Sequence, residues 1–233
     1  MKTPLKTSVV VANHGRDLTL LKQSIPSSCE LIVIDEGRER SWQRNKGIAQ
    51  ATGDIIIWLD SDQSLAPGLV GEIQELLSSQ VYKSVYIPEI IVVKSFFGKI
   101  RAFERTFYDG TAVDVPRAVL KRVCPRFNEE LNGPEDADWG NRIPGLRAIS
   151  KLPLYHHDDV SFKEYFKKKS YYAKSMKRYA ELNPEDKVLD WKYRCVWIFI
   201  EKGKWTKILR HPILFVCVMF VIALRAIIYL KNK

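Results

Sequence analysis

Residues 54–62 read Asp-Ile-Ile-Ile-Trp-Leu-Asp-Ser-Asp, an apolar run entered by one carboxylate and left by two. A short, β-branched apolar run bounded by polar residues is the pattern of a strand buried on both faces. Two runs of the same kind precede it, Thr7–Ala12 (TSVVVA) and Glu30–Asp35 (ELIVID). Between them the spacing predicts a helix over Leu18–Ile25, capped by Asp17 and stopped by Pro26, and another over Trp42–Ala51, closed by Gly53. A further helix is expected from Pro67 to about Ser79. Strand, helix, strand, helix, strand in this order predicts parallel βαβ units with right-handed crossovers. The expected class is therefore α/β, a mainly parallel sheet flanked by helices.

Ligands of such sheets bind beyond the carboxyl ends of the strands. All three runs end there in polar residues: Asn13-His14, Asp35-Glu36 and Asp60-Ser61-Asp62. Carboxylates at i and i+2 can share one hard cation, or divide between a cation and a ribose. Oxygen ligands of this type suit Mg²⁺ or Mn²⁺, ions that commonly also carry substrate phosphates. An Asp-x-Asp alone is as readily a solvated turn; the buried strand before it and Asp35 on a second strand favour a site.

Further along, strand is expected in residues 85–93 around Pro88, helix over Phe96–Tyr108, and strand again at Ala112–Val115. Glu135-Asp136 then stands at the mouth of a predicted helix. Acids in a first turn complement the helix dipole, or one of them serves as a general base near a hydroxyl. Arg142, two turns on, could neutralise a diphosphate, and His157 could ligate a cation or donate to a phosphate.

Charge divides the chain. Of 37 Lys+Arg and 27 Asp+Glu, residues 1–150 hold 19 of each, so the whole net charge of +10 lies in residues 151–233. That distribution argues against a nucleic-acid-coating protein and suits a neutral body whose rear faces lipid headgroups or phosphates. Residues 161–182 interleave Lys with Phe and Tyr, which fits a helix in the membrane interface or a solvated face over an aromatic core. Ile213–Leu224 is unbroken apolar sequence, followed by Arg225 and Ala226–Leu230. Its 18 residues, 17 apolar and Arg225, are just enough, at ~1.5 Å each, for a bilayer core of ~30 Å. This is a single span or a helix embedded in one leaflet, the competing reading being a buried helix; Arg225 could snorkel to the interface. The upstream flank (Lys202, Lys204, Lys207, Arg210) is more basic than Lys231 and Lys233, so the large N-terminal body is expected at the cell membrane, facing the cytoplasm. Three segments are expected: residues 1–158, 159–211 and 212–233. The four cysteines (Cys29, Cys124, Cys195, Cys217) have no paired spacing, and no signal peptide is expected at the N-terminus.

The succession Ser8–Asn13, Leu31–Asp35, Arg44-Asn45-Lys46-Gly47 with Ala51–Asp54, and Asp60-Ser61-Asp62 resembles family 2 glycosyltransferases of the GT-A fold. Gly133-Pro134-Glu135-Asp136 resembles that family's second acidic motif, and His157-Asp158-Asp159 followed by Lys168–Tyr172 is similar to membrane-associated members that act on lipid-linked acceptors. The resemblance implies a GT-A domain and a nucleoside-diphosphate sugar donor, UDP- or GDP-linked. It implies a donor site of Ala12, Asn13, Asp35, Arg44, Asp60 and Arg142. Asp62, with Asp60 and His157, would hold Mn²⁺ or Mg²⁺. Asp136 would take the acceptor proton, supported by Glu135, in an inverting transfer to a membrane lipid, a polyprenyl-linked acceptor or a glycan. The Gln-x-x-Arg-Trp pattern of processive synthases is absent after Asp136, so one sugar is expected per event. The turn after Asp35-Glu36 departs from the family pattern, reading Gly37-Arg38-Glu39-Arg40. Two alternatives remain open here: a nucleotidyltransferase, which also pairs carboxylates with a divalent ion, and a non-catalytic membrane adaptor.

Overall fold

A computed structural model describes residues 5–37, 39–158 and 160–231; Arg38, Asp159 and Lys233 lie outside the described residues. In chain order the elements begin β1 (Thr7–Ala12), α1 (Thr19–Ser24), β2 (Glu30–Ile34), α2 (Arg40–Gln50), β3 (Ile55–Asp60) and β4 (Gln63–Leu65). Then come α3 (Leu69–Ser78), β5 (Tyr82–Tyr86), β6 (Glu89–Ile91), α4 (Phe96–Arg105) and β7 (Ala118–Leu120). The remainder is α5 (Glu135–Asn141), β8 (Leu146–Ile149), β9 (Leu154–His156), α6 (Phe162–Ala173), α7 (Met176–Leu182), α8 (Ile198–Ile200), α9 (Trp205–Arg210) and α10 (Pro212–Lys231).

Two compact units result. One gathers the chain up to Glu89 with Val115–Glu129 and Glu135–His157; the other gathers Ile90–Asp114, Glu130–Pro134 and the chain from Asp158.

The first unit is the α/β body. Its six-stranded sheet has the order β2-β1-β3-β7-β5-β8, with β1 parallel to both β2 and β3 and β7 antiparallel to β3 and β5. Because side chains alternate across a strand, β3 supplies two cores at once. Ile55, Ile57 and Leu59 join Val9, Val11 and the α3 residues Leu69, Ile73 and Leu77 on one face. Ile56 and Trp58 join Val10, Phe127 and Trp139 on the other. Helix α2 lies close against β1: a Cβ on Gly47 would stand 2.4 Å from Val10 Cγ1, so only glycine fits there. The register sets Ala12 between Ile34 and Asp60, which brings the three polar strand ends together.

Several local expectations change. Asp17 does not cap α1; its carboxylate accepts from the Thr19 N–H (3.0 Å) and hydroxyl (2.7 Å), and the helix starts after Leu18. Pro67 sits before α3, with Gly68 (φ +85°) as the residue that turns into it. Residues 112–115 form no strand; the third partner of the central sheet is β7, beyond Pro116. The helix of residues 161–182 is two, α6 and α7, and α6 opens on a capping box formed by Ser161 and Glu164.

The second unit is helical. Its core packs Ile100, Phe103 and Phe107 with Tyr165, Tyr193, Phe199, Val218 and Val221. Helix α10 has 20 residues and a mean hydropathy of 2.8 over its most apolar 18-residue stretch, 17% of which is buried. It lies on α4 and α6. Arg225 does not snorkel. It is buried, ion-paired with Glu104 of α4, and 3.2 Å from the Tyr165 hydroxyl of α6.

Candidate active site

The site is built at the carboxyl ends of β1, β2 and β3. Asn13, just past β1, is held by its neighbours: its side-chain amide donates to Asp35 (2.6 Å) and to the Arg16 carbonyl (3.3 Å) and accepts from the Arg16 N–H (3.2 Å). Gln43 of α2 donates to the Asn13 carbonyl at 2.7 Å, tying α2 to the same corner. Asp35 is exposed beside this corner, where a ligand can reach it.

Asp60 ends β3 under two guanidiniums. Arg44 Nη2 lies 2.7 Å from one carboxylate oxygen and Arg117 Nη1 3.4 Å from the other. Both guanidiniums also face Trp58, 4.2 Å and 4.0 Å from its ring, and Arg44 is 5.1 Å from the Phe127 ring. Burial alone would raise the Asp60 pKa; Arg44, Arg117 and Arg40 outweigh it and hold the group well below the usual carboxylate range.

Arg44 is 1% exposed, so it does not meet a ligand; its other nitrogen reaches Glu135 at 3.5 Å, and Arg40 reaches the same oxygen at 3.0 Å. Glu135 is thus a buried, doubly paired anion at the start of α5. Asp136 beside it is half-buried. Desolvation, and then the Glu135 charge, push its pKa up, against the same three arginines that act on Asp60. A carboxylate raised in this way is a better proton acceptor than an ordinary surface aspartate.

Asp62 is shared by Arg16 (2.6 Å) and His156 (3.2 Å), and Glu89 stands 2.6 Å behind His156 on its other ring nitrogen. Burial opposes charge on His156, but Asp62 and Glu89 overcome it and push its pKa up to about 10. The antiparallel pairing of β4 with β9 creates this contact by setting Gln63 opposite His156. His157 is the next residue and its imidazole points elsewhere, with Nε2 3.0 Å from the Ser64 hydroxyl, while its N–H donates to the Asp62 carbonyl (2.8 Å). A cleft of about 330 Å³ opens here, lined by Arg16, Asp17, Leu20, Asp62, Gln63 and His157 among others.

The strand-end residues predicted from sequence (Ala12, Asn13, Asp35, Asp60, Asp62) and the pair Glu135-Asp136 are brought into one region. Three are placed differently, the first being Arg44, buried in ion pairs with Asp60 and Glu135. Arg142 forks onto Asp138 (3.0 and 2.7 Å) and donates to the Arg126 carbonyl (2.7 Å); the cations on the acidic motifs are Arg40, Arg44 and Arg117 instead. His156, rather than His157, is the imidazole against the Asp62 carboxylate. Sequence reading missed His156 at the end of β9, Glu89 at the start of β6, Arg117 just before β7 and Arg16 in the loop after β1, since three-residue strands and a loop carry them to the site. A divalent metal fits this donor set: Asp62 offers oxygen and His156 nitrogen, ligands suited to Mn²⁺ and compatible with Mg²⁺, once the imidazole gives up its proton.

Comparison with known proteins bears on the fold and the family. Two crystal structures of S. aureus TarS residues 1–349 share the fold. One superposes with TM-score 0.51 at 14% identity, covering 72% of this chain and 64% of TarS. The other, in complex with UDP-GlcNAc, has TM-score 0.50 at 15% identity over 72% of this chain and 65% of TarS. The chain therefore spans somewhat less than two thirds of those structures. A search of curated protein sequences finds no match. The family model "Glycosyl transferase family 2" matches residues 15–151. That match takes in more than half of the sequence, the carboxyl ends of β2 and β3 and both acidic motifs, and the chain belongs to glycosyl transferase family 2.

Proposed function

We propose that this protein is an inverting, divalent-metal-dependent, non-processive glycosyltransferase. It moves one sugar from a nucleoside-diphosphate sugar, UDP- or GDP-linked, to a lipid-linked or glycan acceptor at the cytoplasmic face of a membrane. The observation that carries this reading is Arg44. By pairing with both Asp60 and Glu135, it couples the nucleotide end of the sheet to the residue that precedes Asp136, the carboxylate suited to accept a proton.

Asn13 and Asp35 offer polar contacts to a nucleoside, and Asp60, fixed as an anion by Arg44 and Arg117, shapes the floor beneath it. Asp62 and His156 would hold Mn²⁺ or Mg²⁺, with the exposed His157 on the cleft wall free to approach a phosphate. When bound, the ion stabilises negative charge on the departing nucleoside diphosphate. Asp136 takes the proton from the acceptor hydroxyl as it attacks the anomeric carbon from the face opposite the leaving group. Glu135 touches no substrate and keeps α5, and so Asp136, in place.

Product analysis tests the reading. Full-length protein incubated with Mn²⁺ and UDP-GlcNAc, other UDP-sugars or GDP-sugars should release the nucleoside diphosphate, and Asp62→Asn should abolish release. Release of pyrophosphate from a sugar phosphate and a nucleoside triphosphate would assign the site to nucleotidyl transfer instead. Failure of every nucleotide to raise the melting temperature with Mn²⁺ would reject a transferase altogether.

A further inference from the structure

We infer that the helical unit seats in one leaflet of an anionic membrane, with α10 lying in the plane of the bilayer rather than crossing it. The argument starts from how α10 is held. Its exposed apolar side chains are Ile213 (75%), Val216 (68%), Phe220 (60%), Ile227 (49%) and Leu230 (67%). At about 100° per residue these fall within an arc of about 100°, opposite the buried Val218, Val221 and Arg225. A helix of nearly uniform apolar composition thus has two faces in place, one locked to protein and one bare.

The locked face decides the orientation. Over residues 214–225 it packs into the unit's own core, and Arg225 is ion-paired with Glu104 of α4. Helix α4 has ten residues, or ~15 Å, half of a ~30 Å hydrocarbon core. It carries Lys99 and Arg101, and α6 carries exposed Lys163, Lys167 and Lys168. Neither helix can follow α10 into hydrocarbon without desolvating those charges. A spanning α10 would have to leave both helices and take Arg225 unpaired into lipid. An in-plane α10 keeps every contact and buries only the bare stripe.

Charge selects the occupant. From Lys202 to the end of the sequence there is no Asp or Glu, and the stripe is bracketed by Arg210 and Lys231. Trp205 and Leu209, both exposed on α9, extend the apolar surface from the Arg210 end, and Trp is suited to the headgroup boundary. A second copy of this chain would bring the same positive charge to the contact, whereas phosphatidylglycerol-type headgroups neutralise it.

This inference concerns attachment, and its test does not depend on catalysis. Full-length protein should float with vesicles of equal parts phosphatidylcholine and phosphatidylglycerol. The double variant Val216→Glu, Phe220→Glu, altered only on the exposed stripe, should bind roughly tenfold or more weakly with an unchanged circular dichroism spectrum. In sealed membranes from expressing cells, protease should reach an epitope fused after Lys233 and the α/β body from the same side. An epitope protected on the opposite side would show that α10 spans and overturn the inference. So would unimpaired vesicle binding by the double variant, or wild-type protein that ignores vesicles and hides the stripe by dimerising.

Discussion

His156 Nε2 stands 3.2 Å from Asp62 Oδ1, and Glu89 holds the far side of the same imidazole. Adjacent residues on an extended segment point to opposite sides, so of the two consecutive histidines only one can face Asp62. On the proposed reading His156→Ala abolishes the Mn²⁺ response in a thermal-shift titration, while His157→Ala retains it. Glu89→Gln, which removes the outer partner of the ligand, should weaken Mn²⁺ by about 10–100-fold.

Asp136→Asn should reduce kcat by roughly 10²–10⁴-fold and leave donor binding intact, measured by steady-state kinetics beside isothermal titration with the nucleoside diphosphate. The base must be ionised, so activity falls as pH drops through its raised pKa. The acid limb of the kcat/KM profile should lie above the ordinary carboxylate range. Glu135→Gln, removing the neighbouring negative charge, should move that limb to lower pH.

Arg44 is buried, and truncation leaves Glu135 short of a partner inside the protein. Arg44→Met should cost about 3 kcal/mol in urea unfolding. Arg44→Lys should not restore stability, since a single ammonium cannot fork between Asp60 and Glu135 while lying on Trp58.

Glu104→Gln leaves Arg225 buried without its counter-charge and should likewise cost about 3 kcal/mol. Burial works against the Glu104 carboxylate, but Arg225 and Tyr108 lower its pKa below the ordinary 4.5. A depressed folded pKa contributes stability that is full above that ordinary value and disappears as pH falls through the lower one. Unfolding measured on the acid side should show this component in the wild type and lose it in the variant.

The sheet was legible because its strands announce themselves. Their centres, residues 9–12, 31–34 and 55–59, are wholly apolar, and the polar residues that end them point to Asn13, Asp35, Asp60 and Asp62. What escaped was carried by short elements. Strands β4, β7, β8 and β9 have three or four residues each, too few for a period to register, yet they deliver His156, Arg117 and the antiparallel centre of the sheet. Ion-pair choice was equally hidden. Arg142 falls just past the end of α5 rather than within it, and Asp138 one turn earlier captures it; nothing in the spacing ranks that partner below a diphosphate. Arg225 shows the same limit: composition identifies an apolar helix with one charge, and only tertiary packing reveals that the charge turns inward.

Pairing Arg225 with Glu104 also bears on how the enzyme is prepared. Trimming the sequence before Pro212 to obtain a water-soluble version would strip the lid from Phe103 and Tyr165 and strand Glu104 in an apolar interior. Such a shortened form should precipitate or melt in its helical half, so purification belongs in mild surfactant with the last twenty-odd residues retained.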